Sequence, residues 1–149
     1  MQGKILNNNL ILLLMRLNQN EKIRELLCPD GTTEELIHKH ILATPAVPMD
    51  KKGNYIVVAF MGGQNAENNA FNYTTIRVDI ICHLDTWITA NKNVRVFMLM
   101  EEVLDTLKEV RLEGIGAISF NNWQIITTLN ADYGGYSLSY TNVEFDDID

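Results

Sequence analysis

Residues Thr74 to Leu112 constrain this chain more than any other stretch, because TTIRVDIICHLDTWIT runs through a short polar break into VRVFMLMEEVLDTLKEVRL. In the first part Ile76, Val78, Ile80 and Cys82 alternate with Arg77 and Asp79, the period of two that a strand shows when one face is buried. In the second, Val96, Met100, Val103, Leu107 and Val110 recur at steps of four, three, four and three, and Phe97 and Leu104 widen the stripe. Glu101, Glu102, Asp105, Lys108 and Glu109 fill the rest of the circumference. The spacing predicts a helix over about 94–111 laid on a sheet that contains the strand, since a one-sided helix is stable only where a second layer covers its stripe.

A chain of 149 residues suits one domain with one core, and its apolar fraction of 46% and charged fraction of 21% are those of a globular protein. Its longest apolar run, Leu10 to Met15, falls far short of the roughly 20 residues a membrane-spanning helix needs and of a secretory signal. The expectation is therefore a protein kept in the cytoplasm where it is made. Cys82 lies on the apolar face of the central strand, and it and Cys28 are expected to be free thiols. The net charge is −7, distributed unevenly: residues 1–94 carry nine basic and nine acidic side chains, residues 95–149 three and ten. An acidic balance argues against tight binding of nucleic acid, which requires cations to displace counterions.

Taken in order, Ile5 to Leu27 reads as helical, interrupted at Asn18-Gln19-Asn20 and stopped by Cys28-Pro29-Asp30-Gly31. Thr32 with Glu35 has capping-box spacing for a short helical turn, and Ile41 to Val47 reads as a short extended segment. Tyr55 to Phe60 is a β-branched and aromatic strand, followed by a polar stretch, Met61 to Asn72, that reads as a loop. Beyond the central helix, Gly114-Ile115-Gly116 turns into a strand over 117–129, Asn130 to Gly135 forms a second turn, and Tyr136 to Phe145 alternates as the last strand.

No catalytic constellation emerges. His38, His40 and His83 lack the CxxC or HxxxH spacing of a metal site, so neither metal nor cofactor is expected. Ser119, Ser137 and Ser139 sit in strand patterns without a GxSxG elbow, and Gly114-Ile115-Gly116 opens a strand where a phosphate-binding loop opens a helix. Glu101, Glu102 and Asp105 form the kind of exposed acidic helix face that most surface helices have, and Trp87 and Trp123 are candidate core or interface anchors. The chain is not expected to be an enzyme.

The order of elements resembles the small tail-completion or tail-terminator proteins of tailed bacteriophages. So does the local wording: Ile80-Ile81-Cys82-His83-Leu84-Asp85 followed by Trp87, Arg95 at the helix entry, and Leu112-Glu113-Gly114-Ile115-Gly116 before a strand. The resemblance covers roughly residues 36–145 and implies a virion protein of the phage neck, made in the host cytoplasm. Such proteins form rings, usually six-fold, that terminate the tail tube and join it to the head. A tail terminator and a head-completion protein both remain open. The implied partners are other copies of the chain, a tail tube protein and a head-completion or connector protein, with DNA passing through the lumen without tight binding and no membrane involved. The alternative is a small cytoplasmic ligand-binding or regulatory domain of ferredoxin-like type.

The expected fold is α+β, a mostly antiparallel sheet of four to five strands with the central helix and the N-terminal helices packed on it. One domain spans 1–149, comprising a helical region at 1–28, a core at 36–145 and a flexible acidic tail at 146–149. The expected contact residues are Gln64, Asn65, Glu67, Asn68 and Phe71 in the polar stretch, with Arg77, Trp87 and Arg95 and the acids Glu101 and Glu102.

Overall fold

A computed structural model describes residues 2–29, 31, 36–44, 52–65 and 71–142. The expected sections at Thr32 to Glu35, at 45–50, at 66–70 and at the acidic tail lie outside them. Helices α1 (Gln2–Gln19) and α2 (Glu21–Leu27) meet at Asn20, where the sequence is interrupted. The Asn20 side chain accepts a hydrogen bond from Ile23 N at 3.1 Å and so caps α2. Its amide also donates to Glu102 Oε1 and to Thr106 Oγ1, at 3.2 and 2.8 Å, which ties the break to the central helix.

The strands are β1 (Ile41–Leu42), β2 (Tyr55–Asn65), β3 (Phe71–His83), β4 (Arg111–Leu112), β5 (Gly116–Ile125) and β6 (Tyr133–Asn142), and the central helix is α3 (Arg95–Thr106). They form one sheet in the order β1-β2-β3-β6-β5-β4, antiparallel throughout except for the β1–β2 pair. Six strands replace the four or five expected. The extended segment read from Ile41 supplies β1, over its first two residues, and the addition is β4, two residues long and too short to leave a periodic pattern in a sequence.

Further boundaries differ from expectation, the end of β5 at Ile125 among them. The polar stretch after Phe60 is mostly strand: β2 continues to Asn65 and β3 starts at Phe71, with Gln64 opposite Asn72 and Asn65 opposite Phe71. Register shifts at Phe60/Gly62 and Gly62/Gln64 let this glycine-rich hairpin stay paired without the usual alternation. Helix α3 ends at Thr106, five residues early, and Glu109 turns the chain with φ +62°. Leu107 and Val110 are nonetheless buried, so the apolar stripe outlasts the helix that its spacing implied. Strand β6 begins at Tyr133, because Gly134 and Gly135 belong to the strand and not to a turn.

The alternation in β3 sets the two faces. Ile76, Val78, Ile80 and Cys82 are buried with Ile56 and Val58 of β2, Leu138 and Tyr140 of β6, and Val96, Leu99, Met100 and Val103 of α3. Leu13, Leu14, Leu17, Ile23 and Leu27 extend this core from the N-terminal helices. On the opposite face Arg77 and Asp79 are half-buried, and a second, smaller cluster gathers Leu42, Tyr55, Val57, Ile81 and Tyr133 at one end. No helix among the described residues is long and apolar enough to cross a membrane.

Candidate interaction surface

The expected contact residues fall into separate groups. Gln64 is exposed on the β2–β3 hairpin, and Asn65 and Phe71 pair across its tip, while Glu67 and Asn68 lie outside the described residues. This hairpin runs past the rest of the sheet, since β6 pairs with β3 only from Thr75 onward. Met61 and Tyr73 stand exposed along it, Tyr73 to 62%. Trp87 and Arg95 lie beyond the far end of β3, roughly 40 Å of strand away from Phe71.

Arg95 faces inward. It is buried, its Nε donates to Thr86 O at 2.6 Å and its Nη1 to Leu26 O at 2.8 Å, so it joins α2, the turn after β3 and α3 within one copy. With these carbonyl partners the interior guanidinium acts as a structural staple within the chain. Trp87 is half-buried against the core, and a Cβ on Gly134 would meet its ring at 2.9 Å. Arg77 is half-buried beside Asp79, with Nε 3.2 Å from the carboxylate of its own strand. Glu101 is exposed, and Glu102 accepts from Asn20 on the flank of α3.

On the outer part of β5 the sequence marked only Trp123, as a core or interface anchor, and not the strand around it. Every residue from Ser119 to Ile125 is exposed, Trp123 to 57% and Ile125 to 58%. Phe120 lies opposite Tyr140, Trp123 opposite Leu138 and Ile125 opposite Tyr136, which puts all three on the helix-bearing face, beyond the margin that α3 covers. The aromatic rings form a row: Phe97 of α3 is 5.1 Å from Tyr136, Tyr136 is 5.8 Å from Trp123, and Phe120 is 5.7 Å from Tyr140. One sequence signal marks the region. Residues 114–131 contain no charged side chain, in a chain of net charge −7.

A cleft of about 300 Å³ lies between the end of α2, residues 36–40 and the turn at Leu84–Thr86. Its polar groups are bonded to one another. Asn54 Oδ1 accepts from His83 N at 3.1 Å and from Thr86 Oγ1 at 3.2 Å, His40 Nδ1 pairs with Asn54 O at 2.9 Å, and His83 Nδ1 accepts from Asp85 N at 3.0 Å. At the rim Lys52 Nζ lies 2.8 Å from Asp85, and its hydrogen bond lowers the pKa of that carboxyl. Cys28 and Cys82 are in no disulfide, and no three histidine, cysteine or carboxylate side chains among the described residues converge on a metal position.

Among known families, a model described as YomW matches residues 7–142. No curated protein matches the chain.

Proposed function

The chain belongs to the YomW family, and from its fold and surface we propose that it is a non-enzymatic structural component of a tailed-phage neck, assembling into a ring that terminates the tail tube and joins tail to head. The observation that carries this reading is the β2–β3 hairpin, which projects beyond the sheet with Met61 and Tyr73 in the open. Apolar side chains on a projecting arm cost solvation in a lone subunit and are used where a neighbour covers them. The arm and the aromatic margin of β5 are unlike surfaces on opposite sides of one sheet, and unlike surfaces give head-to-tail contacts that close as rings. The order of elements and the glycine-punctuated words around α3 that carry the resemblance support the same reading.

A six-fold ring of this chain, contacting tube and connector proteins in the virion, is the expected assembly. The copies are expected to associate weakly or not at all in dilute solution, because each association costs translational and rotational freedom, roughly 4–15 kcal/mol, before any contact counts. Electron microscopy of particles, with light scattering on the purified protein across concentration, tests this. A ring of this chain at the head-to-tail junction is the expected result; its absence from purified particles overturns the reading. The alternative, a ligand-binding domain, has the cleft at Asn54 as its place, but there the polar atoms are already bonded within the chain. A thermal-shift panel of nucleotides and metabolites should leave the melting temperature unchanged, whereas saturation with a true ligand at 100 times its Kd would add about 2.7 kcal/mol.

A further inference from the structure

We infer that the outer face of α1 is a docking surface and that residues 143–149 of the same chain occupy it. This docking does not depend on a ring. Residues 10–15, Leu-Ile-Leu-Leu-Leu-Met, are apolar without interruption, so the middle of α1 is apolar on every side, and a helix of that kind needs cover all round. Leu13, Leu14 and Leu17 have theirs in the core. On the side away from it, Ile11 and Leu12 are half-buried and Met15 is 47% exposed, along a shallow groove that Asn7, Asn8 and Arg16 also line.

Charge selects the occupant's chemistry. Residues 1–20 contain no acid, and the two cations of α1, Lys4 and Arg16, are both exposed. The other helices differ: Glu21 and Glu25 stand exposed on α2, and Glu101 and Asp105 on α3. In a chain of net charge −7, α1 is therefore the helix that an acidic segment can approach, and the segment must also be apolar to cover Ile11, Leu12 and Met15. Residues 143–149, Val-Glu-Phe-Asp-Asp-Ile-Asp, combine three apolar side chains with four carboxylates and no cation. Of the other stretches outside the described residues, 32–35 has acids but nothing apolar, and 45–51 is apolar with one acid and one lysine.

Position and reach fit as well. The chain leaves the described part at buried Asn142, whose side chain accepts from Thr74 N at 2.8 Å and donates to Ile115 O at 3.4 Å. Leu6 of α1 lines one small concavity with Thr74. Asn9 of α1 holds the backbone of Glu113, donating to its O at 2.7 Å and accepting from its N at 3.1 Å. The exit therefore lies beside the N-terminal half of α1. Seven extended residues reach at most roughly 23 Å, and Leu6 to Met15 is roughly 14 Å of helix, so the segment is long enough to lie along the outer face. There Val143, Phe145 and Ile148 would cover the apolar side chains while the carboxylates stand near Lys4 and Arg16.

Cross-linking and charge reversal test the docking in the full chain. In a Cys28→Ser background, which leaves only buried Cys82, Leu12→Cys combined with Asp147→Cys should oxidise to a disulfide within one monomer. The control is Ser119→Cys with Asp147→Cys. Ser119 pairs with Thr141, next to the exit, so tethering alone would favour the control, yet it should oxidise roughly tenfold more slowly. Adding Lys4→Glu and Arg16→Glu to the first pair should slow its oxidation by about tenfold with circular dichroism unchanged, and raising the salt should act in the same direction. Adding Phe145→Ser instead should slow it comparably without altering charge. If the Ser119 pair oxidises as fast as the Leu12 pair, or if both sets of added substitutions leave the rate unchanged, the segment is not seated on α1 and the inference fails while the ring reading stands. If the Leu12 pair gives dimers and longer species in place of a closed monomer, the face takes another copy's segment and the inference is overturned. The expected pattern in a protein that is absent from purified particles would leave the docking intact and overturn the ring reading alone.

Discussion

Cys82 and Tyr140 are ionisable groups placed where an ionised form is poorly tolerated, and both make the fold sensitive to alkali. Burial pushes the Cys82 thiol up from 9.0 to about 12, with the nearby charge of Arg95 acting weakly in the opposite sense. The folded state therefore holds this proton more tightly than the unfolded chain does. The stability this contributes is complete below about pH 9 and is lost as pH rises from 9 to 12, on the order of 4 kcal/mol over that window. Denaturant midpoints measured from pH 8 to 12 should fall accordingly, and Cys82→Ala should flatten the early part of the fall. Burial raises Tyr140 in the same direction, which adds to the loss above pH 10. The Tyr140 hydroxyl is also buried without a hydrogen-bond partner among the described residues. Removing an unsatisfied buried hydroxyl while keeping the ring should help, so Tyr140→Phe is expected to gain about 1 kcal/mol in denaturant unfolding. A loss of similar size would mean that the hydroxyl is bonded after all.

At the scale of elements, the β3–β6 pair is the seam of the sheet, and Gly135 fixes how closely the two strands approach. A Cβ at this position would run into the Ile80 carbonyl oxygen, a backbone atom that cannot move without opening the ladder. Gly135→Ala should therefore cost on the order of 2–3 kcal/mol, read as a lower denaturant midpoint, whereas alanine at exposed Gly62, with nothing nearby, should leave packing undisturbed. Gly134 and Gly135 also show where sequence reading stops. Their composition signals a turn, and only the strand opposite reveals that close approach is what requires them. The strand–helix unit was legible because Ile76, Val78, Ile80 and Cys82 repeat at the period of a sheet, and Val96, Met100 and Val103 at that of a helix. The break at Asn20 was legible too, because a polar cluster divides two apolar stripes. The polar hairpin beyond Phe60 was not, since glycine and asparagine have low strand propensity and the pairing is set by register with β3. The inward turn of Arg95 was equally hidden, because its acceptors, Thr86 O and Leu26 O, are backbone groups that no side-chain pattern announces. Of the candidate site, the sequence pointed to the hairpin and, on β5, to Trp123 alone as a core or interface anchor, because exposed Phe120 and Ile125 read like members of any half-buried strand.

For the whole molecule, charge and shape together decide how the chain should behave toward DNA. Residues 95–149 carry ten acidic and three basic side chains, and Glu101, Asp105 and Glu109 stand exposed on or just beyond α3. On the opposite face, Arg77 is the cation nearest the centre of the sheet, and its Nε lies 3.2 Å from Asp79. A duplex gains affinity for a protein mainly by releasing counterions to lysine and arginine, and Arg77, beside Asp79, offers little for it to release. If the proposed neck role holds, this suits DNA moving past, because each basic contact would retard the strand while a neutral or negative wall leaves the counterion atmosphere undisturbed. Fluorescence anisotropy with a labelled duplex should therefore show no binding at 150 mM salt, and lowering the salt should raise it little. The control is a charge reversal on the exposed helix, Glu101→Lys with Asp105→Lys, which should introduce weak binding that disappears again as salt is added. Micromolar affinity in the parent chain, with a steep dependence on salt, would show that a basic surface forms on assembly and would overturn this expectation.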